Sequence, residues 1–396
     1  MMTPFNFAKV PPLYLGQGKL QLLPQLMQSF GRGERLRVLW VTGKHSLQKS
    51  GQEATVEGLL GEGGEVVGRL VCDREPTTEL IDHWCAIYRP QQIHLVVGIG
   101  GGSVIDAGKA LSAMLPHNNS IFDHLEGVGK GIPHSGVKVP YLAIPTTSGT
   151  GSEATKNAVI SQVGLQGYKK SLRHENLVPD GVIIDGDLLM SCPPEITAPC
   201  GMDAFTQLLE PYLSPTASPL SDALAWSGLK IISRNLLKAC GEGSQDPEVR
   251  ESMAYGSFLS GVALANAGLG IVHALASPLG GYFPIPHGVI CGTLMAAAVR
   301  VNWQALQRRD PQHPAVAKMA KLGQWMSQDA GKPPAYYCDF LVQELENWTE
   351  QLKIPRLGEY GLTEADLGRI LAQTTNRNNP IALNREEIQE LLGSRL

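Results

Sequence analysis

The segment 93–115, IHLVVGIGGGSVIDAGKALSAML, decides the reading of this chain. It opens as a β-branched apolar run, turns through Gly98, Gly100, Gly101 and Gly102, and continues with apolar residues at helical period. A strand, a bare turn and a helix start in succession make an anion site. Glycine lets backbone N–H groups approach a phosphate, and the helix dipole favours its charge. Two common phosphate fingerprints fail here. The dinucleotide pattern G-x-G-x-x-G needs glycine where Ser103 stands, and the P-loop pattern G-x-x-x-x-G-K-[ST] fails at Ser103 and again at Ala110. Gly100, Gly101, Gly102 and Ser103 therefore read as a pyrophosphate cradle of another kind, the plainer alternative being a tight turn without a ligand. Asp106 and Lys109 follow three apart on one helical face, a spacing that alone more often marks a surface ion pair.

Outward from this segment, the first half of the chain repeats the pattern. The runs LRVLWVTG, EVVGRLVC, YLAIPTTSG and GVIIDGDLL alternate with helical stretches, as in a parallel sheet built from strand–helix units. After about Asp187 the β-branched runs stop, and DALAWSGLKIISRNLLKA, SMAYGSFLSGVALANA and REEIQELLGSRL carry helical period. The expected architecture is an α/β domain over residues 1–190 joined to an all-helical domain over residues 191–396. The loop PTTSGTGSE (145–153) follows the YLAI strand and offers hydroxyls and two glycines at a carboxyl end of the sheet, where ligands of open α/β sheets bind. It reads equally well as a polar loop capping the next segment.

Composition bounds the function. With 43% apolar and 18% charged residues in 396, the chain is that of a compact globular protein. A net charge of -4 and no Lys/Arg cluster argue against nucleic acid or an anionic membrane as partner. Seven scattered cysteines without C-x-x-C read as reduced thiols, and the start MMTPFNFAKV lacks a signal-peptide pattern, so a cytoplasmic protein is expected. The 48 residues from Ser252 to Val299 contain no Asp, Glu, Lys or Arg. They are too rich in Gly, Ala and Ser, and too broken by Asn266, Pro278, Pro284 and Pro286, for a membrane span. They read as central helices of a soluble domain. Glycine, at 44 residues, is over-represented and must serve local needs of the backbone.

Within GMDAFTQLLEPY, Asp203 and Gln207 lie four apart and point the same way from a helix. His273 and His287 bracket HALASPLGGYFPIPH inside the charge-free stretch. Either histidine alone is more often a core residue satisfied by backbone. A carboxylate in another apolar helix changes the balance, because burial is costly unless it is paired or metal-bound. One Asp and two His make a plausible set of ligands for Zn²⁺ or Fe²⁺.

These motifs together resemble one family. GGGSVIDAGK, PTTSGTGSE, GMDAFTQLLEPY and HALASPLGGYFPIPHG stand in the order and spacing of the iron-containing (group III) alcohol dehydrogenases, and the likeness runs from LYLGQGKL to NNPIALNREEIQELL. The resemblance implies a dehydroquinate synthase-like fold: an N-terminal dinucleotide-binding α/β domain, a C-terminal helical metal-binding domain, and an active site between them. It implies that Gly101, Gly102 and Ser103 hold the pyrophosphate with Asp106 near the nicotinamide, that Thr146, Thr147 and Thr150 line the rest of the cofactor, and that Lys169, or its neighbour Lys170, contacts it. Asp203, His273 and His287 match three metal ligands of the family and would be the catalytic residues, in a protein expected to be a homodimer.

Three departures carry information. Gln207 stands where the family usually has a further histidine ligand, and an amide oxygen is the weaker donor. Ser277 stands where many members have a histidine that is a candidate proton carrier, so the proton is expected to travel through water, the cofactor ribose or another hydroxyl. Gly43, followed by Lys44, His45 and Ser46, replaces the acidic residue that often receives the ribose 2′-hydroxyl. An acid there would repel a 2′-phosphate, and its absence favours NADP(H) over NAD(H), or leaves the ribose open to either. The expected reaction is hydride transfer between the nicotinamide and an alcohol or aldehyde with one divalent metal as Lewis acid. The alternatives are a sugar-phosphate cyclase of the dehydroquinate synthase type, or a nucleotide-binding protein with a decayed metal site.

Overall fold

The computed structural model describes residues 4–31 and 33–396; the first three residues of MMTPFNFAKV and residue 32 lie outside the described residues. Among the described residues there are eight strands: β1 (Leu13–Leu15), β2 (Arg37–Thr42), β3 (Glu65–Val71), β4 (Leu95–Gly100), β5 (Tyr141–Pro145), β6 (Asn157–Gln162), β7 (Tyr168–Arg173) and β8 (Gly181–Ile184). Six form a sheet in the order β1-β8-β5-β4-β2-β3, with all neighbouring pairs parallel. β6 and β7 make a separate antiparallel hairpin. The inner strands are covered on both faces, which is why VLWV, LVVGI and GVII read as unbroken apolar runs. The edge strand β3 is largely exposed and carries Glu65 and Arg69.

The order of the strands positions the site. From β2 the chain crosses outward to β3, returns to pair β4 beside β2, and then proceeds in the opposite direction to β5 and β8. The connections leaving β2 and β4 therefore diverge, and their carboxyl ends open the crevice where doubly wound sheets bind ligands. Gly43 closes β2 at this point, and the glycine turn closes β4.

From Pro194 onward the described residues form helices and short turns only. Met202, Phe205 and Leu208 of the helix Pro194–Leu213 pack with Leu229, Ile232, Met295 and Trp348 in one core. A second seam joins the two halves: Ala254, Phe258 and Val262 of the helix Pro247–Ala267 belong to the same cluster as Val182 and Ile184 of β8. The helix His287–Arg309 is long and apolar enough to cross a bilayer, but 89% of that stretch is buried inside the protein, as expected for a core helix.

Four histidines, three within 117–134 and one at 174, meet on the sheet domain. His134 lies 4.6 Å, 5.4 Å and 5.9 Å, ring to ring, from His117, His124 and His174. Its Nδ1 accepts from the Gly136 amide and its Nε2 faces the Ala113 carbonyl, so only the neutral ring satisfies both. Burial, with the neighbouring imidazoles, pushes it down to about 4. The unfolded chain then binds the proton first, and stability falls as pH drops from about 6.5 towards 4. We expect this to amount to roughly 2–3 kcal/mol, read by urea unfolding, and to be smaller in His134→Gln, whose amide can still donate to Ala113. An unchanged slope in the variant would show that His134 is not responsible.

Candidate active site

The glycine turn after β4 and the loop 145–153 after β5 both emerge at the carboxyl edge of the sheet and lie against each other. The helix Gly102–Met114 starts directly after β4 with Gly101 at its cap and no side chain capping it, which leaves its first N–H groups open to an anion. Closeness explains the glycines. A Cβ on Gly102 would stand 2.7 Å from Thr150 Oγ1, and one on Gly101 would stand 3.4 Å from Thr147. The loop 145–153 is anchored from below by the Thr146 amide, which donates to the Gly100 carbonyl at 2.9 Å. Two buried hydroxyls at this crevice have no hydrogen-bond partner among the described residues: Ser46 Oγ beside the end of β2 and Thr146 Oγ1 at the end of β5. Orphaned donors of this kind suit a bound polar ligand. Gly43 is partly buried there, while Lys44 and His45 are exposed.

Asp106 and Lys109 are not the surface pair their spacing suggests. Lys109 is 1% exposed, its Nζ 4.0 Å from Asp106 and donating to Ser152 O, Thr155 Oγ1 and Asn157 O. Asp106 accepts from Ser152 Oγ. The pair thus holds the loop 145–153 onto the glycine-turn helix. Lys169, on β7, is bound to Glu75, which also accepts from Ser161 Oγ. The β6–β7 hairpin lies under the helix Ile271–Tyr282, where Ser277 Oγ donates to the Lys169 carbonyl at 3.1 Å.

On the helical side three helices converge. The helix Pro194–Leu213 brings Asp203, the helix Ile271–Tyr282 brings His273, and the helix His287–Arg309 begins with His287. Asp203 Oδ1 is 3.3 Å from His273 Nε2 and 3.8 Å from His287 Nε2. A fourth residue completes the group: Cys291, one turn after His287, with its Sγ 3.6 Å and 3.7 Å from the same two nitrogens. All four donor atoms lie within 4.8 Å of one another. Asp203 is 1% exposed, and neither of its carboxylate oxygens has a hydrogen-bond partner. Burial pushes that carboxyl up, but the imidazoles of His287 and His273 outweigh it and hold the group below the usual carboxylate range. Burial pushes the His287 imidazole down, towards the neutral form that can ligate. A buried carboxylate without partners, facing two imidazoles, fits a divalent cation.

Glu210 orients this group. Its Oε2 receives His273 Nδ1 at 2.7 Å and its Oε1 receives the Val272 amide at 2.7 Å, so His273 presents Nε2 inward. Gln207, one turn after Asp203, uses its Nε2 to donate to the Thr150 carbonyl at 2.7 Å and to Ser260 Oγ at 2.9 Å, which ties the loop 145–153 to the helices. Cys291 had a sequence signal in its i,i+4 spacing from His287, and Glu210 in its position seven after Asp203. Glu75 had none.

Comparison with known proteins identifies the family. Residues 11–186 match the family model described as iron-containing alcohol dehydrogenase, and residues 197–396 match that of the Fe-containing alcohol dehydrogenase family, C-terminal. The chain is 34% identical over 376 residues to long-chain-alcohol dehydrogenase 1 of Geobacillus thermodenitrificans, covering 94% of this chain and 91% of the relative. It is 30% identical to the NADPH-dependent butanol dehydrogenase of Clostridium saccharobutylicum, covering 96% and 95%. Among solved structures, a 1,3-propanediol oxidoreductase superposes with a TM-score of 0.87 at 28% identity over 100% of both chains.

Proposed function

The chain belongs to the iron-containing alcohol dehydrogenases, and from that membership we propose how its residues divide the work of an NAD(P)-linked, metal-dependent alcohol oxidoreductase. The observation that carries the reading is the convergence of Asp203, His273 and His287, with an unpartnered buried carboxylate at its centre. These three residues would hold the cation, and Glu210 would fix the ring of His273. A bound divalent cation supplies Lewis acidity towards a carbonyl or alkoxide oxygen, and the nicotinamide supplies the hydride. Gly100, Gly101, Gly102 and Ser103 would receive the pyrophosphate, Thr146, Thr147 and Thr150 would flank it, and Asp106 and Lys169 would support that side from their ion pairs. The Ser277 hydroxyl is engaged with the Lys169 carbonyl, which supports a proton route through solvent or a cofactor hydroxyl. We divide the chain at residues 190 and 191, a reading supported by the end of β8 at Ile184 and the helix start at Pro194.

Preference for NADP(H) is supported by Gly43 at the end of β2, by exposed Lys44 beside it, and by the free hydroxyl of Ser46. The NADPH-dependent relative is consistent with that choice. The apolar, small-residue setting of the two histidines supports an uncharged or weakly polar alcohol as substrate. Seven free cysteines suit a reducing, cytoplasmic compartment, and a homodimer is the state the family suggests. Assembled cation ligands speak against the decayed-site reading, and the family assignment sets aside the cyclase.

The test combines cation analysis, sedimentation and steady-state reduction of an aldehyde panel with NADH and NADPH. One cation per chain and a higher kcat/KM with NADPH are expected, and preference for NADH would overturn the cofactor assignment. In Gly43→Asp the preference should invert, with the NADPH to NADH ratio falling by about 100-fold, or ~3 kcal/mol. A Cβ at Gly43 meets only Ser46 Oγ at 3.2 Å and Val104 at 3.8 Å, so the substitution is sterically accessible.

A further inference from the structure

We infer that the fourth protein ligand of the cation is the Cys291 thiolate, not the Gln207 amide, so that this chain has a mixed Asp-His-His-Cys site suited to zinc or cobalt. The inference rests on the preceding reading that Asp203, His273 and His287 hold the cation, and concerns how the coordination is completed where the family's usual histidine is missing.

Distances carry it. Zinc lies about 2.0–2.1 Å from nitrogen and about 2.3 Å from sulfur, and the edge of a tetrahedron is about 1.6 times its centre-to-corner length. Edges of about 3.3–3.4 Å between nitrogen or oxygen ligands and about 3.6 Å between sulfur and nitrogen follow. Four of the six edges are 3.3 Å and 3.8 Å from Asp203 to the two imidazoles, and 3.6 Å and 3.7 Å from Cys291 to them, and the other two are within 4.8 Å. The two sulfur–nitrogen edges thus match ligation closely. A thiol acting only as a hydrogen-bond donor explains them poorly, because its single proton can serve one nitrogen and leaves the Asp203 oxygens unpartnered.

The backbone presents Cys291 for this role. His287 opens its helix and Cys291 lies one turn further along the same face, so the two donors are delivered by one rigid element. Cys291 is 0% exposed, with no solvent-facing role. Gln207 is anchored elsewhere: Thr150 O and Ser260 Oγ take both of its amide protons, and only a neutral oxygen, the weaker donor, is left to face a cation. It acts as a positioning residue for the loop 145–153. Binding a cation at Cys291 releases the thiol proton to solvent and adds a second negative ligand beside Asp203, and the affinity order of divalent ions then favours cobalt or zinc over ferrous iron.

The experiment loads apo wild type, Cys291→Ser, Gln207→Ala and Asp203→Ala with Co²⁺ and records stoichiometry and near-ultraviolet absorption. Wild type and Gln207→Ala are expected to bind one Co²⁺ with a sulfur-to-cobalt charge-transfer band. Cys291→Ser should lose the band and bind Zn²⁺ at least about tenfold more weakly in chelator competition. Wild type that binds one Co²⁺ without the band overturns the inference and leaves the Asp-His-His reading intact. Wild type that binds no Co²⁺ overturns both. The wild-type spectrum alone decides the matter should a variant fail to fold.

Discussion

Asp203→Ala is expected to lower kcat/KM by about a thousandfold or more, equivalent to ~4 kcal/mol of transition-state stabilisation, and to remove the bound cation in the same step. The two losses belong together because Asp203 is the one anionic donor that faces both His273 and His287 from outside their helices. Its oxygens have no other partner to lose. The cation-free variant should itself unfold somewhat earlier than cation-free wild type, because the imidazoles of His273 and His287 outweigh the cost of burying the carboxylate and favour its ionised form in the folded chain. What disappears is the added stability that wild type gains from a saturating divalent cation, a gain that grows with the logarithm of its concentration. Thermal unfolding with and without chelator, beside cation analysis and steady-state rates, reads all three quantities. A cation-free variant with near-normal activity would remove Asp203 from the chemistry.

Much of this architecture was legible because burial on both faces leaves a simple trace. The β2, β4, β5 and β8 runs are apolar through their centres, and the glycines at the end of β4 mark where the chain turns tightly into the next helix. Elements with weaker traces escaped. β1 has only the three residues LYL, and β7 reads YKKSLR because it is only partly buried, so neither shows a run long enough to stand out. The candidate cation ligands were readable as Asp and His in helices without charge, whereas Cys291, despite lying four residues after His287, could as well be any small buried residue, since free cysteine is commonly a core residue. Only the meeting of three helices gives it a direction. Long-range pairings such as Lys169 with Glu75 left no local signal, being 94 positions apart.

The glycine surplus makes its strongest prediction away from the phosphate. Gly151 sits at φ 57° in the loop 145–153 and faces Gly261 on the helix Pro247–Ala267. A Cβ on Gly261 would fall 2.2 Å from the Gly151 carbonyl oxygen, and one on Gly151 would fall 2.4 Å from the Ser257 carbonyl oxygen. Both obstacles are backbone, which cannot swing aside as a side-chain tip can. Gly261→Ala must therefore push the loop and helix apart. Because that loop carries Thr146, Thr147 and Thr150 and is tied to Gln207 through the Thr150 carbonyl, the cofactor side should suffer with the fold. We expect a loss of about 3 kcal/mol in urea unfolding and at least about a tenfold rise in the cofactor Kd. Gly58→Ala provides the contrast: it lies in the helix Glu53–Gly63 with nothing within 4 Å of its Cβ, and should stabilise by up to about 1 kcal/mol. Gly151→Ala adds a left-handed strain of ~1 kcal/mol to its own clash. If the two glycines share one contact, the double variant Gly151→Ala, Gly261→Ala must cost less than the sum of the single ones, because a seam already forced open has no second closure to lose. Strict additivity would instead mean that each glycine answers a separate constraint, and that the loop is held against the helices by something other than this close approach.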